Sequence, residues 1–183
     1  MTTALWIAYC GYLVWLASGL CDFLTHRRTD LPHTSGLAES IAHLVQLGLL
    51  GAAVLLGLGF EVGQGSALLL LALVATHAVV GYADTRIAFA APRVVSPFEQ
   101  HVHSVLDMAP VVALGWLLAS TWPAAAAGGW TLHPRQPGLP LAMWGAALAP
   151  AMVLCVVPAL FEFRAAWRAR DAARAARAVA GTR

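Results

Sequence analysis

The most informative stretch of this chain reads Ser96-Pro97-Phe98-Glu99-Gln100-His101-Val102-His103-Ser104-Val105-Leu106-Asp107. It begins an apolar segment, yet two acids and two histidines lie within nine of its residues. On a helix, Glu99, His103 and Asp107 fall at about 0°, 40° and 80° around the axis, so their side chains form one stripe. The stretch therefore predicts a helix that points several ionisable groups at a common place.

The composition is typical of a membrane protein. Of the 183 residues, 60% are hydrophobic and 11% are charged, whereas roughly a quarter are charged in a soluble domain. Five apolar runs reach the roughly 20 residues that a helix needs to cross a hydrocarbon core. Inside a bilayer these runs must be helical, because each backbone polar group needs a partner within its own segment. The runs are Ala4–Leu24, Ala38–Phe60, Ser66–Ala88, Glu99–Trp122 and Pro140–Phe163.

We therefore expect an all-α fold, a single bundle of five transmembrane helices over residues 1–163 followed by a basic tail over residues 164–183. The start, Met1-Thr2-Thr3-Ala4, lacks the positive charge of a signal peptide, so the first run is expected to remain as a membrane helix. The tail predicts either contact with anionic lipid headgroups or a solvated topology anchor.

The arginines predict the orientation of the bundle, since cytoplasmic loops of membrane proteins carry an excess of positive charge. All of them except Arg135 fall on one side of a five-helix alternation. This places the N-terminus outside and the C-terminus in the cytoplasm of a bacterial-type inner membrane. The arginines on the cytoplasmic side are Arg27, Arg28, Arg86, Arg93, Arg164, Arg168, Arg170, Arg174, Arg177 and Arg183.

The same alternation brings together the end of helix 1, the start of helix 2, the end of helix 3 and the start of helix 4. Acids and histidines occur at all four places, which is how helical bundles hold metal centres. The predicted metal ligands are Asp22, His26, His33, Glu39, His43, His77, Asp84, Glu99, His101 and His103. The predicted supporting residues, which would hydrogen-bond the ligands or balance their charge, are Gln46, Arg86 and Asp107.

Some of these residues have a simpler interpretation. Glu99 also completes a capping box with Ser96, and Asp22 and His26 could form only a hydrogen bond between successive turns. His33 lies in a loop whose other residues most simply start helix 2. His77 lies seven residues before Asp84, so it is expected about 10 Å deeper, as a ligand or a substrate-site group.

Charge favours a bound cation over protonated acids. Five carboxylates lie at these helix ends, and of the nearby arginines only Arg86 is expected inside the bundle, because the others lie in loops. Imidazole and carboxylate without thiolate suit iron, manganese or zinc. More than four possible ligands favour two metal ions. The carboxylates are Asp22, Glu39, Asp84, Glu99 and Asp107.

The arrangement resembles the integral-membrane di-iron enzymes, the fatty-acid desaturases and hydroxylases, which gather histidines at the cytoplasmic ends of membrane helices. The resemblance covers helices 1 to 4 and implies two irons, oxygen chemistry and a lipid-like substrate. The HxxxH and HxxHH boxes of that family do not occur. In their place stand Asp22-x3-His26, Glu39-x3-His43 and Glu99-x3-His103, as in a carboxylate-rich ferritin-type site.

The first functional hypothesis is an oxidoreductase with two irons, or iron and manganese, that oxidises an apolar substrate from the bilayer. Its core ligands would be Glu39, His43, Glu99 and His103. The predicted partners are membrane lipids, this substrate and an electron donor, with no nucleic acid.

Three other hypotheses stay open. One is a zinc-dependent hydrolase of lipid amides or esters, in which a metal-bound water attacks the substrate; its arrangement resembles that of the alkaline ceramidases, which have seven helices. Another is a b-type haem protein with axial ligands among His43, His77 and His103. The last is a metal or proton carrier that uses the acids as a relay.

Overall fold

The computed structural model describes residues 3–181. The predictions that involve Met1, Thr2 and Arg183 lie outside that range. Within it the chain is helical and contains no strand; one isolated bridge joins Phe60 to Pro134. The helices are α1 (Thr3–Arg28), α2 (Gly36–Gly59), α3 (Gln64–Ala90), α4 (Pro97–Ala127), α5 (Leu141–Ala151) and α6 (Val157–Ala180), with a 3-10 turn at Leu31–His33 and a π-helical turn at Met152–Val156.

Five helices are long and apolar enough to cross a membrane, as the sequence predicts. The fifth is the continuous rod Leu141–Ala180, which joins α5, the π-helical turn and α6. It runs 17 residues past the predicted end at Phe163, through the arginine-rich part of the chain. The predicted tail is therefore helical as far as Ala180.

A tight turn joins α1 to α2 and begins the end of the bundle that carries the acids and histidines. Asp30 and Gly36 have positive φ angles of 53° and 64°, which reverse the chain over a few residues. Leu31 between them is fully buried and packs the turn against α6. The start of α2 is thereby held next to the end of α1.

The opposite end of the bundle is closed by the segment between α4 and α5. Gln64 N donates to Gly129 O at 2.8 Å, Glu61 N to His133 O at 2.9 Å and Arg135 N to Gly59 O at 2.9 Å. This segment therefore lies against the α2–α3 loop, and His133 is at the end far from the other histidines. Because consecutive helices run in opposite directions, the ends predicted to meet do lie together.

Helix α4 extends five residues past its predicted end at Trp122, through Pro123, to Ala127. It stops at Gly128 and Gly129, the second of which has the positive φ of 67° that is common just after a helix.

Small residues bring α1 and the fifth helix close together. A Cβ on Gly19 would lie only 3.0 Å from Cys155 Sγ, in the π-helical turn.

Candidate metal centre

Seven of the ten predicted ligands meet in one buried group, together with two residues that the sequence analysis did not select. We call this group the acid–histidine cluster. Five helices and the α3–α4 loop contribute to it. Its members are Asp22, His26, Glu39, His43, Asp84, Arg93, Glu99, His103 and Glu162.

Two imidazole rings form the middle of the cluster. The rings of His26 on α1 and His43 on α2 are stacked, with centroids 4.8 Å apart and planes 3° from parallel. Glu162 on α6 accepts from both: its Oε2 lies 2.9 Å from His26 Nδ1 and its Oε1 lies 2.8 Å from His43 Nδ1. One carboxylate therefore places the proton of both rings on Nδ1.

The other nitrogen of each ring faces carboxylates. His26 Nε2 lies 3.4 Å from Glu39 Oε1 and 3.5 Å from Asp22 Oδ1. His43 Nε2 lies 3.3 Å from Asp84 Oδ2. Neither Nε2 has a hydrogen-bond partner within the described part of the chain, so the nearby carboxylates do not satisfy either atom. These are the positions from which imidazole binds a metal.

His103 adds a third imidazole to the cluster from the second turn of α4. Its Nε2 lies 2.9 Å from Asp22 Oδ1, and its side chain is largely buried. Asp22 therefore lies between His26 and His103, and the three could hold one ion. The alternative in which Asp22 simply bonds His26 within α1 does not fit the 3.5 Å separation of their atoms.

Arg93 lies inside the cluster although the sequence analysis placed it in a solvated loop. Its guanidinium donates to Glu99 Oε1 at 2.5 Å and to Glu39 Oε1 at 2.6 Å, and its side chain is 3% exposed. Burial acts to lower the pKa of Arg93, but the adjoining Glu99 and Glu39 carboxylates outweigh it and raise that pKa above its ordinary value. The prediction that Arg86 lies inside the bundle is corrected, because Arg86 is exposed near the end of α3.

Three carboxylates keep one buried oxygen free of any hydrogen bond among residues 3–181: Glu39 Oε2, Glu99 Oε2 and Asp84 Oδ1. Ser96 Oγ accepts from the Glu99 backbone N–H, but the Glu99 side chain does not return a bond to the cap, since its Oε1 accepts from Arg93 and its Oε2 has no partner in the described chain. Four ligand sets have their atoms within 4.8 Å of one another. Two of them share Glu39: His26 with Glu39 and Glu99, and His43 with Glu39 and Asp84.

His33 and His101 do not join the cluster, which corrects their prediction as ligands. The side chain of His33 is 67% exposed and its Nδ1 lies 2.8 Å from Asp30 Oδ1, because the 3-10 turn points it away from the bundle. His101 is exposed, and its Nδ1 lies 2.8 Å from the Pro97 carbonyl one turn earlier. His101 is two residues away from both Glu99 and His103, and on a helix that separation points its side chain to the other side of the axis.

Three further predicted residues lie beside the cluster. Gln46 Nε2 lies 3.4 Å from Asp84 Oδ2, which is the predicted supporting position. His77 and Asp107 line an apolar cavity that begins at the cluster. His77 is buried among the residues deeper in the span, and it belongs to none of the four ligand sets.

Glu162 and Arg93 are the members that the sequence analysis missed. A signal for Glu162 existed, since it is the one acid in the predicted fifth span and lies near the same end of the bundle. Arg93 carries no comparable signal. Its role depends on how the Ala91–Ser96 loop folds back over the starts of α2 and α4.

Comparison with models of known protein families, with characterised proteins and with solved structures finds no match for this chain. The chemistry of the cluster is therefore argued from its own geometry.

Proposed function

We propose that this protein is a membrane metalloenzyme whose acid–histidine cluster binds two metal ions, most simply iron, and oxidises an apolar substrate from the bilayer. The observation that carries the proposal is the contact of Glu162 with both histidines. A carboxylate on Nδ1, with Nε2 turned to other ligands, is the usual arrangement around metal-binding histidine.

Charge supports two ions. The buried acids of the cluster are Asp22, Glu39, Asp84, Glu99 and Glu162, and Arg93 is its one arginine. With neutral histidines the described cluster carries four more negative than positive charges, which two divalent cations balance. Because uncompensated charge is costly inside a membrane, metal binding is a direct way to stabilise this arrangement.

The ligand types support iron. Mixed imidazole and carboxylate ligands suit iron, manganese and zinc, and the cluster contains no thiolate. Structural and catalytic zinc sites are usually satisfied by four ligands, whereas seven histidine, aspartate and glutamate side chains besides Glu162 converge here. Glu39 belongs to two of the ligand sets, so it would contribute to holding both ions.

Two irons would supply oxygen activation. The proposed reaction inserts one atom of O2 into a substrate C–H bond to give an alcohol. The other atom leaves as water, with two electrons and two protons taken from an external electron donor. The chain itself binds the ions, excludes water by burying the ligands, and offers an apolar cavity beside them.

The geometry disfavours His43 as an axial ligand of haem. An axial imidazole needs open space in front of its Nε2 for the porphyrin plane, but His43 Nε2 has Asp84 Oδ2 at 3.3 Å. The stacked His26 ring covers one face of His43.

We further propose that the cluster lies at the cytoplasmic face of the membrane, as the distribution of the arginines predicts.

Metal analysis of the purified protein tests the proposal. We expect about two irons per chain in protein purified anaerobically, with substantial loss in His43→Ala and no loss in His133→Ala, which changes a histidine at the other end of the bundle. Stoichiometric zinc without iron would instead favour the hydrolase, and a Soret band would favour haem. Protein that binds none of these metals would overturn the proposal.

A further inference from the structure

A narrow apolar cavity runs from the cluster into the membrane-spanning core. Its volume is about 130 Å³, similar to the roughly 150 Å³ of an apolar cavity that holds benzene. It is lined by Asp22 at the cluster end and by Tyr12 at the other. These residues are ten positions apart on α1, so the cavity spans about 15 Å. A space of this length and volume fits one unbranched chain.

Away from the cluster, the wall of this cavity contains a buried polar atom that lacks a partner among the described residues. His77 on α3 is 2% exposed and lines the cavity, and its Nδ1 has no hydrogen bond within residues 3–181. A buried polar group left in this state costs free energy that a ligand can restore. A neutral imidazole can donate or accept, so a hydroxyl or a carbonyl group would satisfy it.

The cavity adjoins a groove that opens on the apolar outer surface of the bundle. A groove of about 770 Å³ runs along α1 and α4, and its outer wall includes the exposed side chains of Met108 and Val112. Tyr12, Trp15, Leu50 and Val54 line both the groove and the cavity. At this junction Trp15 Nε1 donates to Leu106 O across the α1–α4 gap at 3.4 Å. Only these shared side chains therefore separate a chain in the groove from the cavity.

We propose that the cavity binds an unbranched alkyl chain that carries one neutral hydrogen-bonding group, a hydroxyl or a carbonyl, and that His77 receives this group. The inference rests on the proposed function in taking the cluster end of the cavity as the reacting end. His77 lies seven residues from Asp84, or about 10 Å along α3. The carbon presented to the cluster is therefore one that is remote from the polar group.

Photo-crosslinking to the metal-free protein tests this assignment. The probes are a long-chain primary alcohol with a diazirine in its chain and the matched diazirine alkane without the hydroxyl. We expect the alcohol to label cavity residues such as Leu47 and Leu106 about tenfold more than the alkane, as one hydrogen bond would allow. His77→Leu should reduce alcohol labelling to the alkane level, whereas the exposed-site control His33→Leu should not change it.

A second variant keeps the test decisive if His77→Leu does not fold. Gly51 lines the cavity, and a Cβ built there meets nothing within 4 Å, so Gly51→Leu should fill the space without a backbone clash. Both probes should then lose access. Equal labelling by alcohol and alkane, labelling confined to Met108 and Val112, or labelling unchanged by Gly51→Leu would overturn the inference. Since no metal is present, absence of iron in the purified protein would leave this result intact and reject only the proposed function.

Discussion

Glu162 Oε1 lies 2.8 Å from Nδ1 of His43, although 119 positions separate the two residues in the chain. The second oxygen of the same carboxylate accepts from His26. Since a carboxylate only accepts, both rings must carry a proton on Nδ1, and in the neutral form of each ring the Nε2 lone pair then faces the other acids. The last helix thereby sets which nitrogen of each of these two rings faces the other acids.

Glu162→Gln tests this control directly. The amide of glutamine offers one acceptor and one donor group, so it can hold only one of the two rings in the Nδ1–H form. The other ring would carry its proton on Nε2 and lose its lone pair for metal. We expect metal affinity to fall about 10–100-fold, with the helical fold retained. Metal content after dialysis against a graded chelator series measures the change.

The matched control is Asp171→Asn, which makes the same chemical change at a half-exposed acid further along α6. Its metal content should equal that of the unaltered protein. Equal chelator resistance of Glu162→Gln and Asp171→Asn would show that Glu162 does not orient the histidines.

The five spans and most of the cluster were predictable because they depend on short-range patterns. Apolar runs of sufficient length become helices in a bilayer, and antiparallel helices bring alternate ends together. Asp22, Glu39, His43 and Glu99 lie at those ends with spacings of one helical turn, so their meeting follows from periodicity.

Contacts that depend on tertiary packing could not be read in the same way. Glu162 meets partners 119 and 136 positions away, through the close approach of α6 to α1 and α2. Arg93 reaches Glu39 only because its loop folds inward. Conversely, His101 has an acid and a histidine close to it in sequence, as a metal ligand would. Its side chain points away from the stripe of Glu99 and His103, and its ring remains exposed.

Single histidine substitutions separate the residues inside the cluster from those outside it. His26→Ala should lose metal, because it removes a ring that contacts Glu162 and faces Glu39 and Asp22. His33→Ala and His101→Ala should retain the metal content of the unaltered protein, since both rings lie on the exposed surface. Elemental analysis of the three purified variants is the measurement. Metal loss in His101→Ala equal to that in His26→Ala would contradict the arrangement.

Alanine substitutions at two glycines near the far end of the bundle should have opposite effects on stability. A Cβ on Gly65 would collide with the backbone carbonyl of Trp130, whereas a Cβ on Gly57 would meet nothing within 4 Å. Gly65→Ala should therefore lower the melting temperature, because backbone at the α3 start and the α4–α5 segment must separate. Gly57→Ala should leave the stability unchanged or raise it by about 0.5–1 kcal/mol, the usual gain for alanine within a helix. Thermal unfolding in one detergent compares them, and an equal response of both variants would argue against the close approach.

Arg93→Leu should strongly destabilise the metal-free protein, because it leaves Glu39 and Glu99 buried beside each other without a cation. Removing one partner of a buried ion pair costs about 3–5 kcal/mol. The pKa of Arg93 is higher in the folded protein than in the unfolded chain. Its stabilising effect is therefore complete at any pH below the pKa of the unfolded state, and it is lost only as the pH rises through the higher pKa of the folded state. The penalty should therefore be the same throughout about pH 6–9, far below either pKa. Denaturant unfolding of metal-free Arg93→Leu, with the exposed-site variant Arg86→Leu as control, measures it. If the two variants unfold alike, or if the penalty disappears toward pH 9, Arg93 does not hold these acids.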